Sequence, residues 1–482
     1  MKKSRSQISR RSFLSKSAAT SFGFAVMPAY LALGKEDSQG NKPPSQRVNL
    51  ACVGSGGKGG GDIRSHCGRK DAEPVAFCDV DPGRGGFENW KKQYPKAQFF
   101  NDFRVMFDKM ENDIDAVTVG TPDHIHFCAV MDGMRRGKHA FCQKPLTHKF
   151  NEAELLMKAE KKWNLVTQMG NQGHSSTASL QFKKMVETGV ICDIIKIDAW
   201  KGPSLFFMNK AQREQYFQEV GRNKYPPADE KPAELSWDLW SGPCKLRPFS
   251  KRIHPFNWRA FYGYGTGMFG DWGAHIIDFA HDYLNMGLPS EMKVIKIVDP
   301  DKVLYPLSTQ IQMSFPKRGD MPAIDMYWRD GENCQPEMSE KYWDKDKEDK
   351  ANKPKLGGAG TLLHSKHGEY LVQRGSHGGG SRLYPYVKSK EFGDKMKGEA
   401  PKNGGCHQAF IQACMGNGKT LSPFSVAAPL SQTLVMGTVC QYLQADLEFD
   451  RKGKQFTNNN QANEMLYGFK PRKGYEEFYK KI

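Results

Sequence analysis

An apolar run that breaks directly into glycines occupies residues 48–61 and reads VNLACVGSGGKGGG. Gly54, Gly56 and Gly59 follow the G-x-G-x-x-G spacing. In a parallel α/β sheet such glycines allow a tight turn, close approach of the backbone to a pyrophosphate, and close packing of a helix on a strand. Free N–H groups at the start of that helix face the phosphates. The run therefore predicts a dinucleotide site that includes Gly54, Gly56, Gly57, Lys58 and Gly59.

A second apolar run, residues 74–78, ends in the acidic residue Asp79, about 20 positions after the last glycine of the motif. An acidic residue at this position accepts hydrogen bonds from the ribose hydroxyls and repels a 2′-phosphate. Asp79 therefore favours NAD over NADP. Arg84, Lys91 and Lys92 follow closely and are able to neutralise a phosphate, so NADP stays open as the second choice.

Apolar strands alternate with helical segments up to about residue 169. The pattern predicts strands near 115–120, 138–142 and 165–169, and helices near 121–136 and 151–163. Alternation of this kind implies right-handed crossovers between parallel strands. We therefore predict an α/β architecture whose first unit, residues 48–169, is a Rossmann dinucleotide-binding domain.

The pattern changes after residue 170, where strands near 293–298 and 309–315 have hairpin-like spacing. Segments 331–360 and 374–404 are charged or glycine-rich and are predicted to be loops. Residues 170–482 are therefore expected to form an α+β domain with a largely antiparallel open sheet.

The N-terminus contains the sequence SRRSFLSK at residues 9–16, which is typical of a twin-arginine export signal. The uncharged stretch that follows is too rich in Ser, Thr, Gly and Ala for a stable membrane-spanning helix. We expect residues 1–34 to be a cleaved signal and residues 35–47 to be a linker or arm. The expected location is periplasmic, without stable membrane insertion after cleavage.

Composition excludes some classes of function. The chain has 482 residues and a net charge of +17, but its lysines are scattered and form no arginine–aromatic stripe, so nucleic-acid binding is not expected. The 11 cysteines include no C-x-x-C pair. We expect mostly free thiols and no metal site.

Three residues suit oxidation of a secondary alcohol, which needs a base for the hydroxyl proton and a cation for the developing negative oxygen. Asp271 and His275 are spaced i,i+4 on a predicted helix and therefore share one face. We expect Asp271 to orient the imidazole, His275 to take the proton, and Lys144 to polarise the substrate oxygen. An ordinary surface pair, or part of a metal site, is the alternative for Asp271 and His275.

Four sequence segments resemble the Gfo/Idh/MocA family, which contains glucose–fructose oxidoreductase and inositol dehydrogenases. These segments are GSGGKG after the first strand, TPDHIH at 121–126, QKP at 143–145 and GDWGAHIID at 270–278. The family usually has Glu-Lys-Pro where this chain has Gln143-Lys144-Pro145, which removes a charge near the cofactor. The resemblance implies that the second domain, residues 170–482, binds the substrate and mediates oligomerisation, which gives homodimers or homotetramers.

The resemblance also implies site residues. It places Lys144 beside the nicotinamide and makes Asp271 and His275 face it from the second domain. The remaining cofactor contacts expected are Thr121, Pro122, His124 and Gln143. We expect the substrate to contact Lys144, Asp271 and His275, together with Asn171, Gln172 and Arg259.

These features predict a periplasmic NAD(P)-dependent oxidoreductase that acts on a secondary hydroxyl of a sugar, glycoside or cyclic polyol. Exported proteins meet no pool of free nucleotide, so we expect a tightly held cofactor. The alternative is a NAD-dependent glycoside-cleaving enzyme that works by transient oxidation, elimination and re-reduction. A nucleotide-loaded binding protein is the third possibility.

Overall fold

The structure is a computed structural model that describes residues 46–205, 207–345, 351–397, 404–468 and 470–482. The predicted export signal and most of the predicted arm lie outside the described residues. None of the helices within those ranges is long and apolar enough to span a membrane. All 11 cysteines are free, as the sequence led us to expect.

A six-stranded parallel sheet forms the first half of the structure, with the order β3-β2-β1-β4-β5-β6. This order places the glycine-rich turn after β1, next to the point where the strand order reverses, which is where such sheets bind nucleotides. The strands are β1 (Val48–Val53), β2 (Ala72–Cys78), β3 (Gln98–Phe100), β4 (Ala116–Val119), β5 (His139–Cys142) and β6 (Thr167–Met169).

Helices cover both faces of this sheet, which buries strands that are apolar on both sides. Asp102 begins one helix by accepting a hydrogen bond from the Arg104 amide, as expected of an N-cap residue. The helices are α1 (Gly57–Cys67), α2 (Phe87–Gln93), α3 (Phe103–Met110), α4 (Asp123–Arg135) and α5 (Phe150–Trp163). The predicted Rossmann fold is confirmed.

A nine-stranded sheet forms the second domain, with the order β15-β14-β13-β7-β10-β9-β8-β16-β17. Its pairs are antiparallel except for β7 and β10, which are parallel, so the predicted largely antiparallel sheet is confirmed. The strands are β7 (Ile194–Lys201), β8 (Glu291–Val298), β9 (Ser308–Phe315), β10 (Ile324–Asp330), β13 (Ala359–Ser365), β14 (Leu371–Gly375), β15 (Ser381–Tyr384), β16 (Leu447–Asp450) and β17 (Gln455–Phe456).

The helices that follow β6 are α6 (Thr177–Glu187), α7 (Lys210–Glu219), α8 (Trp237–Ser241), α9 (Gly267–Ile276), α10 (Asp278–Tyr283), α11 (Val387–Glu391), α12 (Cys406–Cys414), α13 (Phe424–Leu443) and α14 (Asn460–Tyr467). Of these, α9 and α13 pack on the nine-stranded sheet. Helices α9 and α13 approach closely. The Phe269 ring of α9 packs against Gly437 of α13, where an added Cβ would lie 2.2 Å from the ring. This contact anchors α9, which carries Asp271 and His275.

The prediction that residues 331–360 and 374–404 are loops is wrong in part. The first segment contains the short strands β11 (Asp344–Lys345) and β12 (Ala351–Asn352), and the second contains β15 and α11. Strand β15 pairs with β14 along the sheet edge. The glycines between these two strands provide a hairpin turn rather than a long loop.

Helix α12 returns to the Rossmann domain and packs on α1. Both His407 Nε2 and Gln143 Nε2 lie 2.7 Å from the buried carboxylate of Asp62 on α1, and Lys58 forms an ion pair with the same carboxylate. Burial disfavours the protonated form of His407, but the hydrogen bonds to Asp62 and Cys406 outweigh burial and raise its pKa to about 9.

Because of the His407–Asp62 pair, we expect the free energy of unfolding to decrease as the pH becomes alkaline. Because the pKa of His407 is higher in the folded state than the ordinary value of about 6.5, its stabilising effect is complete below about pH 6.5 and is lost as pH rises through 9. We expect the free energy of unfolding, measured by urea denaturation, to fall more steeply from pH 7 to 9.5 in the wild type than in His407→Gln.

The control variant is His367→Gln, because the His367 side chain is 51% exposed. This variant is expected to keep the wild-type pH dependence. Equal slopes for His407→Gln and the wild type would contradict the assignment of the charged pair.

Candidate active site

The glycine-rich turn leaves no room for side chains at its three motif positions. A Cβ on Gly54 would lie 2.8 Å from the Gly120 carbonyl carbon, one on Gly56 would lie 2.3 Å from the Arg84 oxygen, and one on Gly59 would lie 1.9 Å from the Gly54 oxygen. Each obstacle is backbone, which cannot rotate away. Gly54 also has a positive φ of 77°. The turn is therefore shaped for backbone approach, as a pyrophosphate requires.

Asp79 lies at the end of β2, beside this turn. Its carboxylate accepts hydrogen bonds from the Ser55 amide at 2.9 Å and the Asp81 amide at 3.1 Å. Burial raises the pKa of Asp79, and these backbone hydrogen bonds oppose the rise. The Arg84 guanidinium stacks on the Phe256 ring at 5.0 Å. Both Asp79 and Arg84 line the same cleft, so the two residues that bear on NAD or NADP are neighbours.

A cleft extends from the glycine-rich turn to the second domain. The predicted contacts that line it are Gly54, Gly56, Gly57, Lys58, Asp79, Thr121, Pro122 and Arg259. Sequence reasoning missed Trp240, His254 and Tyr475 as lining residues. Tyr475 comes from the C-terminal tail, where Arg104 stacks on its ring at 4.6 Å. Aromatic residues of the second domain therefore line the same cleft as the glycine-rich turn of the first domain.

Lys144 follows β5 and reaches across to α9. Its Nζ atom lies 2.5 Å from Oδ1 of Asp271 and 3.1 Å from the Asp271 carbonyl oxygen. The two side chains are only 17% and 11% exposed. An ion pair thus joins the two domains. Lys144, Asp271 and His275 do not line the cleft themselves, but Arg259 does, and its charge acts on Asp271.

The neighbouring carboxyl groups differ in charge state. Burial opposes ionisation of Asp271, but the positive charges of Lys144 and Arg259 outweigh it and lower the pKa. Burial, and then the charge of Asp271, raise the pKa of Asp123 to about 7. Asp123 also accepts a hydrogen bond from the Thr266 hydroxyl at 2.8 Å. One carboxylate is therefore held ionised, while the other is near its titration point at neutral pH.

The surroundings of His275 differ from the prediction. Asp271 does not orient its imidazole, because the Asp271 carboxylate is paired with Lys144. Instead the His275 ring stacks on the His377 ring, with centroids 3.8 Å apart. His275 Nδ1 is buried and has no hydrogen-bond partner among the described residues. Burial, and then the charges of Lys144 and His377, lower the pKa of His275 well below its usual value, so the ring is neutral at pH 7.

His377 was not identified from the sequence. It lies in the turn between β14 and β15, with a positive φ of 54°, more than 100 residues after α9. A long-range contact of this kind leaves no local signal. The glycine-rich composition of the turn was visible, but its position over His275 was not.

Two predicted cofactor contacts have other partners. His124 is buried, with Nε2 at 2.7 Å from the Trp240 carbonyl oxygen and Nδ1 at 3.2 Å from that of Tyr264. The Gln143 amide donates to Asp62. The structure therefore gives both residues a role in packing the cleft walls, and neither lines the cleft.

The predicted substrate residues Asn171 and Gln172 lie just after β6. Asn171 Nδ2 is 3.4 Å from Asp278 Oδ2, on the helix that follows α9. Asn171 Oδ1 and Gln172 Oε1 are buried and have no hydrogen-bond partner among the described residues. Buried acceptors without partners are uncommon, so these two amide oxygens are able to accept hydrogen bonds from a ligand near α9.

Two family models match consecutive parts of the chain. Residues 48–171 match the oxidoreductase family, NAD-binding Rossmann fold, and residues 175–302 match the C-terminal alpha/beta domain of the same family. Together the two matches cover just over half of the chain. The chain belongs to the Gfo/Idh/MocA oxidoreductase family. Its first domain is the NAD-binding domain of that family, which confirms the cofactor predicted from Asp79 and the glycines.

Curated Gfo/Idh/MocA relatives have different activities. An inositol 2-dehydrogenase/D-chiro-inositol 3-dehydrogenase of Lactiplantibacillus plantarum is 25% identical over 147 residues, covering 30% of this chain and 39% of that protein. A glycosyl hydrolase family 109 protein of Akkermansia muciniphila is 25% identical over 225 residues, covering 43% of this chain and 47% of that protein. The chain spans about two fifths of the length of the first curated relatives it matches.

A levoglucosan dehydrogenase is similar in both sequence and structure. The protein of this name from Pseudarthrobacter phenanthrenivorans is 26% identical over 197 residues, covering 41% of this chain and 37% of that protein. A levoglucosan dehydrogenase solved with NADH and levoglucosan has a TM-score of 0.50 and 14% identity, covering 84% of this chain and 99% of that chain. At this identity the likeness shows the fold alone.

Two glycines of α1, Gly59 and Gly61, allow a matched pair of substitutions that tests the role of the glycine-rich turn. Gly59→Ala would force a methyl group against the Gly54 oxygen, whereas Gly61→Ala meets nothing within 4 Å. We expect Gly59→Ala to weaken NAD binding at least about tenfold, a cost of about 1.4 kcal/mol, measured by isothermal titration calorimetry.

Gly61→Ala is expected to keep the wild-type NAD affinity and to leave the melting temperature equal or higher, because alanine favours a helix. If both variants bound NAD as the wild type does, the close approach at Gly59 would have no part in cofactor binding.

Proposed function

We propose that this protein is a NAD-dependent oxidoreductase that transfers a hydride to or from a secondary hydroxyl of a sugar, glycoside or cyclic polyol. The observation that carries the proposal is the ion pair that Lys144 of the first domain forms with Asp271 of α9, the helix that also carries His275. Arg259, which lines the dinucleotide cleft, acts electrostatically on Asp271 and so connects this group to the cleft. The reaction needs a cation to stabilise the substrate oxygen and a neutral imidazole to accept a proton, and a carboxylate can position the cation.

The residues of the cleft fit NAD. Gly54, Gly56 and Gly59 leave space for backbone approach that a Cβ would fill, and Asp79 presents a carboxylate to a ribose. Thr121 and Pro122 line the continuation of the cleft toward Lys144. When bound, NAD supplies the hydride acceptor or donor.

The protein's own side chains handle charge and protons. Lys144 has an N–H left to donate to the substrate oxygen while Asp271 holds its ammonium group in place. The neutral imidazole of His275 accepts the hydroxyl proton as the carbinol carbon loses a hydride and becomes a ketone carbon. In the reverse direction the same atoms return the proton. Asp271 therefore positions Lys144, which corrects the expectation that it would orient the imidazole.

The relatives support a carbohydrate or polyol substrate, because two of those described are named for inositol and levoglucosan. The SRRSFLSK sequence supports export by the twin-arginine route, which carries folded proteins and so permits cofactor loading before export. We extend the proposal to a periplasmic enzyme with a tightly held cofactor that acts as a homodimer or homotetramer. Changing both Arg10 and Arg11 to Lys is expected to retain the protein in the cytoplasm.

A redox-neutral glycoside cleavage is the second candidate, and the glycosyl hydrolase family 109 relatives favour it. In this scheme transient oxidation acidifies the C–H next to the ketone, and elimination breaks the glycosidic bond. Water then adds to the double bond, and the ketone regains its hydride. His275, Lys144 and Asp123, whose pKa is raised to about 7, would provide the acid and base groups.

Substitution of the two central residues tests the leading proposal. We expect Lys144→Met and His275→Gln each to lower kcat about 10²–10⁴-fold, because each removes a charge or proton acceptor from the reacting oxygen. The assay follows NADH formation with myo-inositol, levoglucosan, glucose and methyl glucosides. NAD affinity is expected to stay within a few-fold of the wild type.

Lys162→Met is the control, since Lys162 is exposed on α5 and does not line the cleft. Wild-type turnover retained by both Lys144→Met and His275→Gln would exclude the proposed roles. Glycosidic bond cleavage in D₂O, with deuterium at the neighbouring carbon and no net NADH, would identify the second candidate instead.

A further inference from the structure

A second cavity, of about 240 Å³, lies on the other side of the segment that leads into α9. It shares no lining residue with the dinucleotide cleft. Tyr305 joins it to α9, because its hydroxyl donates to the Gly265 carbonyl at 3.0 Å and its ring contacts Gly267. The proposed reaction makes no use of this cavity.

The charged residues that line the cavity are all basic: Lys149, Arg247 and Lys302. Neither Arg247 nor Lys302 has a carboxylate within 4 Å among the described residues. The Arg247 guanidinium stacks on the Tyr225 ring at 3.8 Å and donates to the Lys245 carbonyl oxygen at 3.2 Å. Lys302 Nζ donates to the Tyr442 carbonyl oxygen at 2.7 Å and lies 4.5 Å from the Tyr442 ring. Their charge is therefore not neutralised by a protein anion.

Carboxylates on the neighbouring segments are already engaged. Asp301, next to Lys302, accepts the backbone N–H groups of Asn223, Val303 and Leu304. Glu152 accepts the Tyr479 hydroxyl at 2.7 Å. Neither carboxylate forms an ion pair with Arg247 or Lys302 among the described residues, so both cations remain available to an anion.

The remaining polar groups of the cavity are mainly hydroxyl donors on aromatic rings. Tyr262 has a buried hydroxyl with no hydrogen-bond partner among the described residues, and its ring packs on Tyr305 with centroids 3.8 Å apart. Tyr442 meets the Tyr262 ring edge-on at 5.0 Å. A buried hydroxyl without a partner is uncommon and indicates a group that a ligand would satisfy.

We propose that this cavity binds an oxyanion, namely the phosphate or carboxylate of a compact sugar or polyol. Arg247 and Lys302 supply charge-assisted hydrogen bonds to the anion. The tyrosine rings supply flat walls against which the C–H faces of a sugar ring pack. The volume of about 240 Å³ suits one such molecule.

Calorimetry on the full chain, saturated with NAD so that the glycine turn is occupied, tests the proposal. The probes are glucose 6-phosphate, inorganic phosphate and glucose. We expect glucose 6-phosphate to bind with an affinity that falls as salt is added, and glucose to bind at least about tenfold more weakly. Comparable binding of inorganic phosphate would show that the oxyanion alone is recognised, which also supports the proposal.

Charge variants identify the site. Lys302→Glu places a carboxylate at the exposed mouth of the cavity and is expected to abolish binding of both anions, while Arg247→Gln is expected to weaken it at least about tenfold. Lys210→Glu, at an exposed lysine on α7, is the control. Lys302 is exposed, so its variant tests the site even if Arg247→Gln fails to fold.

Two results would overturn the proposal. The first is the absence of heat or stabilisation with either anion in the wild type. The second is anion binding that Lys302→Glu leaves unchanged. Neither result bears on hydride transfer at Lys144 and His275, so the proposal stands or falls separately from the proposed function.

Discussion

The ion pair between Lys144 and Asp271 joins the two domains of this protein, and the proposed reaction depends on it. Each partner is supplied by a different fold element, the end of a parallel strand and the middle of a helix. Loss of either partner would leave the other as a buried, unpaired charge, which is strongly unfavourable. The ion pair therefore favours the arrangement in which the end of β5 and α9 lie against each other.

A negative charge is present near Gln143, but it is supplied by Asp62 and not by residue 143 itself. The family resemblance leads one to expect a glutamate at this position, next to Lys144. The structure instead has a neutral amide that donates to Asp62, and the carboxylate comes from α1. His407 neutralises the carboxylate from the other side. An acidic group thus remains close to the strand end that carries Lys144, and it links that strand to α12.

Much of the fold was predictable because its determinants are local. Apolar runs identified five of the six parallel strands and missed only the short edge strand β3, and the glycine spacing identified the turn after β1. The i,i+4 spacing placed Asp271 and His275 on one helix, where the structure has them. Local patterns could not show that Asp271 pairs with Lys144 instead of His275, because that depends on how the domains meet. They equally gave no sign of His377 over His275, or of Tyr475 in the cleft.

The central claim is that the glycine turn and Asp79 bind NAD rather than NADP. The most direct measurement equilibrates the purified chain with equal concentrations of NAD and NADP, removes free nucleotide, denatures the protein and identifies what is released by mass spectrometry. The account predicts stoichiometric NAD and little NADP. An excess of NADP, or no nucleotide at all, would contradict it.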